Sequence, residues 1–250
     1  MSLPKRIITT LMIKNGVLYR SKKFKPDYRY TLNFVDMHSV DEIVLLDISE
    51  NNLFNQTEKK LFVNELLNLA KNAFVPFSVG GGIRTLDDIY FLLKNGADRV
   101  ILNSIALENP KFIDKASKEF GSQCIIVCVD VLNEENNYFV MSNNGKIKSK
   151  KNLSEWIDEI HQLNAGEIFL QSVNKDGALT GYDLELVKKI NKNVKLPLIV
   201  SSGAGKWEHV EKIFEIECVS AASLTNIFHF TEKSIYSLKS FLKDKFYIRK

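Results

Sequence analysis

Short, nearly continuous apolar runs alternate with longer amphipathic segments from one end of the chain to the other. The runs fall at 6–13, 42–48, 76–79, 98–102, 124–130, 167–172, 198–201 and 219–224. Strands of a parallel sheet covered on both faces lose the in–out alternation and read as unbroken apolar runs. Helical signals fill the gaps between them. Thr85-Leu86-Asp87-Asp88 is a capping box and Gly96 closes the helix it opens. Asn109-Pro110 is an N-cap followed by proline at the first helical position. Segments 153–163 and 234–242 carry helical apolar spacing. The one long polar stretch, 133–151, holds a strand-like segment at 138–141 and an Asn144-Gly145 turn. It predicts a hairpin insertion at about 132–151 within a single domain of residues 1–250.

The pattern also repeats at half the chain length. Ser78-Val79-Gly80-Gly81-Gly82 is echoed by Ile199-Val200-Ser201-Ser202-Gly203. Glu42-Ile43-Val44 is echoed by Glu167-Ile168-Phe169, and Arg6-Ile7-Ile8 by Cys124-Ile125-Ile126. Eight strand–helix units in 250 residues, in two similar halves, predict an α/β (β/α)8 TIM barrel with a half-barrel repeat. An open doubly wound sheet is the alternative; a closed ring suits two-fold duplication better.

Composition narrows the partners. Lys and Arg number 34 against 30 Asp and Glu, a net +4 that is too weak to mark a nucleic-acid binder. No apolar run approaches the ~20 residues of a membrane helix. Three cysteines, an odd number without a signal peptide, point to a reducing, cytoplasmic compartment. Cys124 and Cys128, four apart on one expected strand, should share a face as small apolar residues. The four histidines lack ligand spacing, so neither a metal nor another cofactor is expected.

Chemistry in such a barrel gathers at the strand C-terminal ends. Gly80-Gly81-Gly82 and Asn103-Ser104 stand there in one half, and Ser202-Gly203-Ala204-Gly205 and Thr225-Asn226 in the other. Glycines let backbone amides approach an anion, so the duplication predicts two facing phosphate sites; tight βα turns favour the same residues. The Gly-punctuated loop at Asp176-Gly177 is suited to lining a ligand pocket. Asp130 ends an apolar strand and is a candidate general acid or base. Its partner by the repeat is Met12, which can neither give nor take a proton.

Phe77-Ser78-Val79-Gly80-Gly81-Gly82-Ile83, Gly121-Ser122-Gln123, Asp176-Gly177 with Thr180-Gly181-Tyr182-Asp183, Gly203-Ala204-Gly205-Lys206 with Glu208-His209, and Phe228-His229-Phe230 together resemble the cyclase subunit of imidazole glycerol phosphate synthase, HisF. The resemblance covers essentially the whole chain. It implies a barrel that forms a heterodimer with a HisH-like glutaminase and receives ammonia through its floor. It further implies a phosphorylated ligand held by Gly82, Asn103 and Ser104 at one end and by Asp176, Gly177, Gly203, Thr225 and Asn226 at the other. Arg6, Glu42, Arg99 and Glu167 match the family's charged ammonia gate, and Asp98 a residue that meets the glutaminase. Ser78 and Ser201 would line the interior above that gate. Asp130 matches one of two catalytic acids, and Met12 stands where the family has the other. Ser202 replaces a glycine, Thr225-Asn226 replaces Ala-Ser, and Arg20 stands at the flexible-loop lysine, within an atypical loop at 19–30.

Three functions compete. The chain is a divergent paralogue that relays ammonia to another acceptor, such as a sugar amidotransferase of surface-polysaccharide synthesis. Or it is an active cyclase, with a group such as Lys14 sharing the proton work, that converts ammonia and the bisphosphorylated ribulosyl aminoimidazole carboxamide into imidazole glycerol phosphate and aminoimidazole carboxamide ribotide. Or it is a non-catalytic scaffold that activates a glutaminase.

Overall fold

The computed structural model describes residues 4–31, 39–49, 56–72, 74–225, 227 and 234–249. Eight parallel strands form the core: β1 (Arg6–Lys14), β4 (Glu42–Asp47), β5 (Phe77–Gly80), β6 (Arg99–Leu102), β7 (Ile125–Glu134), β10 (Glu167–Ser172), β11 (Leu198–Ser201) and β12 (Val219–Leu224). They hydrogen-bond in that order. β1 pairs with β12, Arg6 opposite Ala221, and β7 pairs with β10, Glu167 opposite Ile126. Each strand therefore has two parallel neighbours and the ring is closed, which excludes the open sheet.

Helices α1 (Gln56–Asn72), α2 (Leu86–Lys94), α3 (Ser104–Glu108), α4 (Lys111–Phe120), α5 (Leu153–Gln162), α6 (Leu184–Ile190), α7 (Trp207–Phe214) and α8 (Ile235–Leu242) follow the strands. Their starts are written in the sequence. The Thr85 hydroxyl accepts from Asp88 N at 3.1 Å while the Asp88 carboxylate accepts from Thr85 N at 2.9 Å, the reciprocal capping box. Asn152 Oδ1 accepts from Ser154 N at 2.9 Å and starts α5. Pro110 has helical dihedrals (φ −55, ψ −34) one residue ahead of α4, the N1 geometry its fixed φ favours.

Period-two geometry splits the strand side chains into two cores. Outward residues such as Ile7, Leu11, Val127 and Leu170 pack under the helices with Trp156 and Leu186. Inward residues Ile8, Val44, Ile101, Ile126, Cys128, Phe169, Ile199 and Ala221 fill the barrel. Each fully buried large side chain contributes roughly 1.5–3 kcal/mol relative to exposure. The two cysteines expected on one face are separated. Cys128 belongs to the inner core, whereas Cys124 lies in a 3-10 turn (Ser122–Cys124) before β7 and packs against the outer one. The turn breaks the strand periodicity that linked them.

Two antiparallel hairpins rise from the rim. β1 turns at Asn15-Gly16 into β2 (Val17–Lys22) and β3 (Lys25–Arg29). β7 turns at Glu135-Asn136 into β8 (Asn137–Ser142) and β9 (Ile147–Lys148). Both residues of each first turn have positive φ, as a type I′ turn requires. The half-chain repeat thus extends above the barrel, since β1 and β7 are equivalent strands.

Candidate functional site at the barrel mouth and floor

Four charges close the floor. Arg6, Glu42, Arg99 and Glu167 are the first residues of β1, β4, β6 and β10, so the barrel brings their inward side chains together. Arg6 Nη1 donates to Glu42 at 2.6 Å and Arg99 Nη1 to Glu167 at 2.6 Å. Arg6 Nη2 reaches Glu167 and Arg99 Nη2 reaches Glu42, which completes a cycle in which each ion touches two of opposite sign. The carboxylates are only 4 % and 6 % exposed. Burial pulls the Arg6 guanidinium down, but Glu167 and Glu42 together outweigh it and raise its pKa above the ordinary value. Asp98, exposed beside Arg99, accepts from Phe77 N at 2.8 Å. Above the ring, Ser78 is fully buried and its hydroxyl has no hydrogen-bond partner among the described residues.

The rim is built differently. A cavity of about 190 Å³ is lined by Met12, Gly82, Arg84, Asn103, Ser104, Cys128, Asp130 and Gln171, among others. A second, of about 30 Å³, is lined by Met12, Gln171, Asp176, Gly177, Ser202, Gly203 and Thr225, among others. Met12 and Gln171 border both. The three residues expected at one phosphate site thus share the larger cavity with Asp130. Four of the five expected at the other share the smaller; Asn226 lies outside the described residues, as do Phe228, His229 and Phe230. Lys14 lines neither cavity.

Asp130 is 6 % exposed. Its Oδ1 accepts from the Cys128 thiol at 3.2 Å, and Cys128 Sγ accepts from Gln171 Nε2 at 3.4 Å. Burial pushes the Asp130 carboxyl up to about 7; the Cys128 hydrogen bond opposes the rise and the nearby Asp176 charge adds to it. A carboxyl that titrates near neutrality can serve as acid or base. Across the mouth, Met12 presents a thioether, which can neither give nor take a proton.

The smaller cavity is tightly walled. Ser202 takes φ +80, a left-handed conformation that favours glycine. The Thr225 hydroxyl donates to Thr10 O at 2.6 Å, and the Thr10 and Ser223 hydroxyls pair at 2.5 Å. The β2–β3 hairpin lies down on this side. Lys23 N donates to Asp176 O at 3.1 Å and Phe24 N to the Asp176 carboxylate at 2.8 Å. A Cβ at Gly177 would come within 2.4 Å of Ser21 O, so glycine permits that approach. Arg20 pairs with Asp27 of its own hairpin and lines neither cavity.

Sequence reasoning passed over Arg84, Cys128 and Gln171 as rim residues. Gln171 had a signal, being one residue from the end of an otherwise apolar strand and facing inward. Asn143 and Asn144 reach the larger cavity from the β8–β9 hairpin, with Asn143 N donating to Ser104 Oγ at 3.1 Å. Only the hairpin's fold-back places them there. Among the described residues no group of three or more His, Cys, Asp or Glu is placed to hold a metal ion, and no helix is long and apolar enough to cross a membrane.

A family model described as "Histidine biosynthesis protein" matches residues 8–234. The chain is 40% identical over 259 residues to the imidazole glycerol phosphate synthase subunit HisF of Hydrogenobaculum sp., covering 97% of each chain. It is 39% identical over 251 residues to the protein of that name from Helicobacter hepaticus, covering 98% of each. A third, from Campylobacter concisus, is 40% identical over 244 residues, with 96% of this chain and 95% of that one covered. With its closed barrel and duplicated rim, the chain belongs to the histidine biosynthesis protein family and, within it, to the HisF subunits.

Proposed function

We propose that this chain is the synthase-type subunit of a glutamine amidotransferase complex and relays ammonia to an acceptor other than the histidine-pathway substrate. A HisH-like glutaminase docks on the floor near Asp98, and ammonia passes the Arg6–Glu42–Arg99–Glu167 ring into the bore. The phosphorylated ligand lies across the mouth, one end at Gly82, Asn103 and Ser104, the other at Asp176, Gly177, Gly203, Thr225 and Asn226. Asp130 is the proton-transfer group. A sugar amidotransferase is the candidate acceptor enzyme, in a reducing, cytoplasmic setting that suits three free cysteines.

The observation that carries this reading is the contrast between the two ends. The floor keeps a complete ring of paired charges, while the mouth sets Met12 at the repeat position of Asp130. One missing acid or base costs about 10²–10⁴-fold in rate. The test is turnover of the bisphosphorylated histidine-pathway substrate with saturating ammonium, measured beside an ordinary HisF. Turnover far below that enzyme is expected, and a comparable rate overturns the relay.

The relatives' names favour a second reading, an active imidazole glycerol phosphate synthase cyclase. It requires that the chain restore growth of a histidine-requiring strain lacking the cyclase. A pure scaffold is separated from the relay by Arg99→Ala. That change should alter glutamine-derived nitrogen transfer in a conducting barrel and leave glutaminase binding intact.

A further inference from the structure

The charge lining the mouth is uneven in a way that the phosphate-site residues do not explain. Among the described residues lining the larger cavity, Arg84 is the one cation, against the carboxylates Asp47 and Asp130. The described lining of the smaller cavity includes no Lys or Arg. The neutral donors beside Arg84 are already engaged. Asn103 Nδ2 donates to Cys128 O at 3.2 Å, and the Ser104 hydroxyl donates to Asn103 Oδ1 at 3.4 Å. A doubly charged group brought between two carboxylates needs a compensating positive charge.

We infer that Arg84 is the counter-charge for a phosphoryl end group of the mouth ligand, and that Glu108 holds its guanidinium at the cavity edge until the ligand arrives. This rests on the proposal that the mouth takes a phosphorylated ligand and names the residue that reads its charge. The backbone of Arg84 is fixed, because Arg84 N donates to Asp88 Oδ2 at 3.0 Å, the carboxylate that also caps α2 through Thr85 N. Its side chain is held by one half-exposed ion pair. Nη1 pairs with Glu108, the last residue of α3, in a contact where the carboxylate is 55% and the arginine 35% exposed. Such half-exposed pairs are weakly held. A guanidinium has five donors, so the remaining edge can bind a phosphoryl oxygen pair while Glu108 keeps or yields its own.

The test is equilibrium binding of inorganic phosphate to the full-length chain, by calorimetry or by amide shifts of Gly82 and Ser104. Arg84→Ala should weaken binding about tenfold or more, the effect of losing a charged hydrogen-bond donor. Arg84→Lys should recover part of that, since it keeps the charge but not the fork. Glu108→Gln should tighten binding by about two- to fivefold, because it removes a competing anion of surface-pair strength. The opposite signs keep the test decisive even if one variant is unstable. Wild-type affinity in Arg84→Ala, or weaker binding in Glu108→Gln, overturns the assignment. If Ser104→Ala loses phosphate while Arg84→Ala does not, the phosphate site stands and only Arg84 is removed. If the wild-type chain binds no phosphate at millimolar concentration, both fall.

Discussion

The two ends of one barrel solve the problem of buried charge in opposite ways. At the floor, two arginines and two glutamates are contributed by strands of both halves, and every ion meets two partners. Desolvation is offset within the ring, and burial is tolerated because no charge is left over. At the rim the halves have diverged. β7 delivers Asp130 into a buried site with a thiol as its near partner, and β1 delivers Met12. The carboxyl responds by holding its proton up to about pH 7. A paired network and a buried, unpaired carboxyl environment can thus occupy the same fold at opposite ends. The first resists change in any member, and the second invites pH dependence.

Breaking the ring should have the largest effect on stability. Glu167→Ala leaves Arg6 and Arg99 each short of a partner in a site where the glutamate is 6 % exposed. Denaturant unfolding should show a loss of about 3–5 kcal/mol. A loss no larger than that of a surface pair would mean that water already fills the floor.

Asp130 sharpens the other side of the contrast. Its folded pKa of about 7 lies above the 3.8 of an ordinary aspartate. The native state therefore keeps a proton that the unfolded chain has released. Below about pH 4 the residue carries no penalty; as pH rises towards 7 stability is lost, and above 7 the penalty is complete. Asp130→Asn should remove this slope and stabilise the fold at pH 8 by up to about 4 kcal/mol, with little effect at pH 4. Urea titrations at the two pH values check it. Equal shifts at both would show that the carboxyl is not desolvated.

Smallest is Ser202. With φ at +80 it bears a conformation that costs a non-glycine residue about 1 kcal/mol or more. Ser202→Gly should raise stability by roughly 0.5–1 kcal/mol, the greater freedom of glycine in the unfolded chain taking back part of the gain. Thermal unfolding would read it as a shift of a few degrees at most.

The barrel was legible because parallel strands buried on both faces leave short apolar runs, and eight of these alternate with capped helical patterns. The observed eight agree with the apolar runs to within a few residues at their ends. The half-chain repeat then placed the rim glycines at strand ends; Asp130, expected to end its strand, instead lies near the top of the parallel-paired part of β7, which runs on to Glu134 as a hairpin arm. The β2–β3 hairpin was less legible. Asn15-Gly16 is a type I′ signal, but Lys23-Phe24 turns with positive φ at both residues and carries no turn chemistry of its own. That turn is held from outside, by Asp176, 152 residues away. Arg84 escaped for a similar reason. Beside a capping box it reads as an ordinary solvated cation, and only the closed ring sets it on the cavity that Asp130 shares. Strand periodicity puts Cys124 on the face of Cys128 only if the strand includes it, and β7 begins one residue later.

The claim that the rim has lost its cyclisation chemistry through one side chain is tested most directly by restoring that side chain. Ammonia-dependent turnover of the bisphosphorylated histidine-pathway substrate should be compared between the wild-type chain and Met12→Asp at saturating ammonium. A gain of about 10²–10⁴-fold is predicted, the worth of one positioned acid or base. A wild-type rate already equal to that of an ordinary HisF, with no gain in the variant, would contradict it.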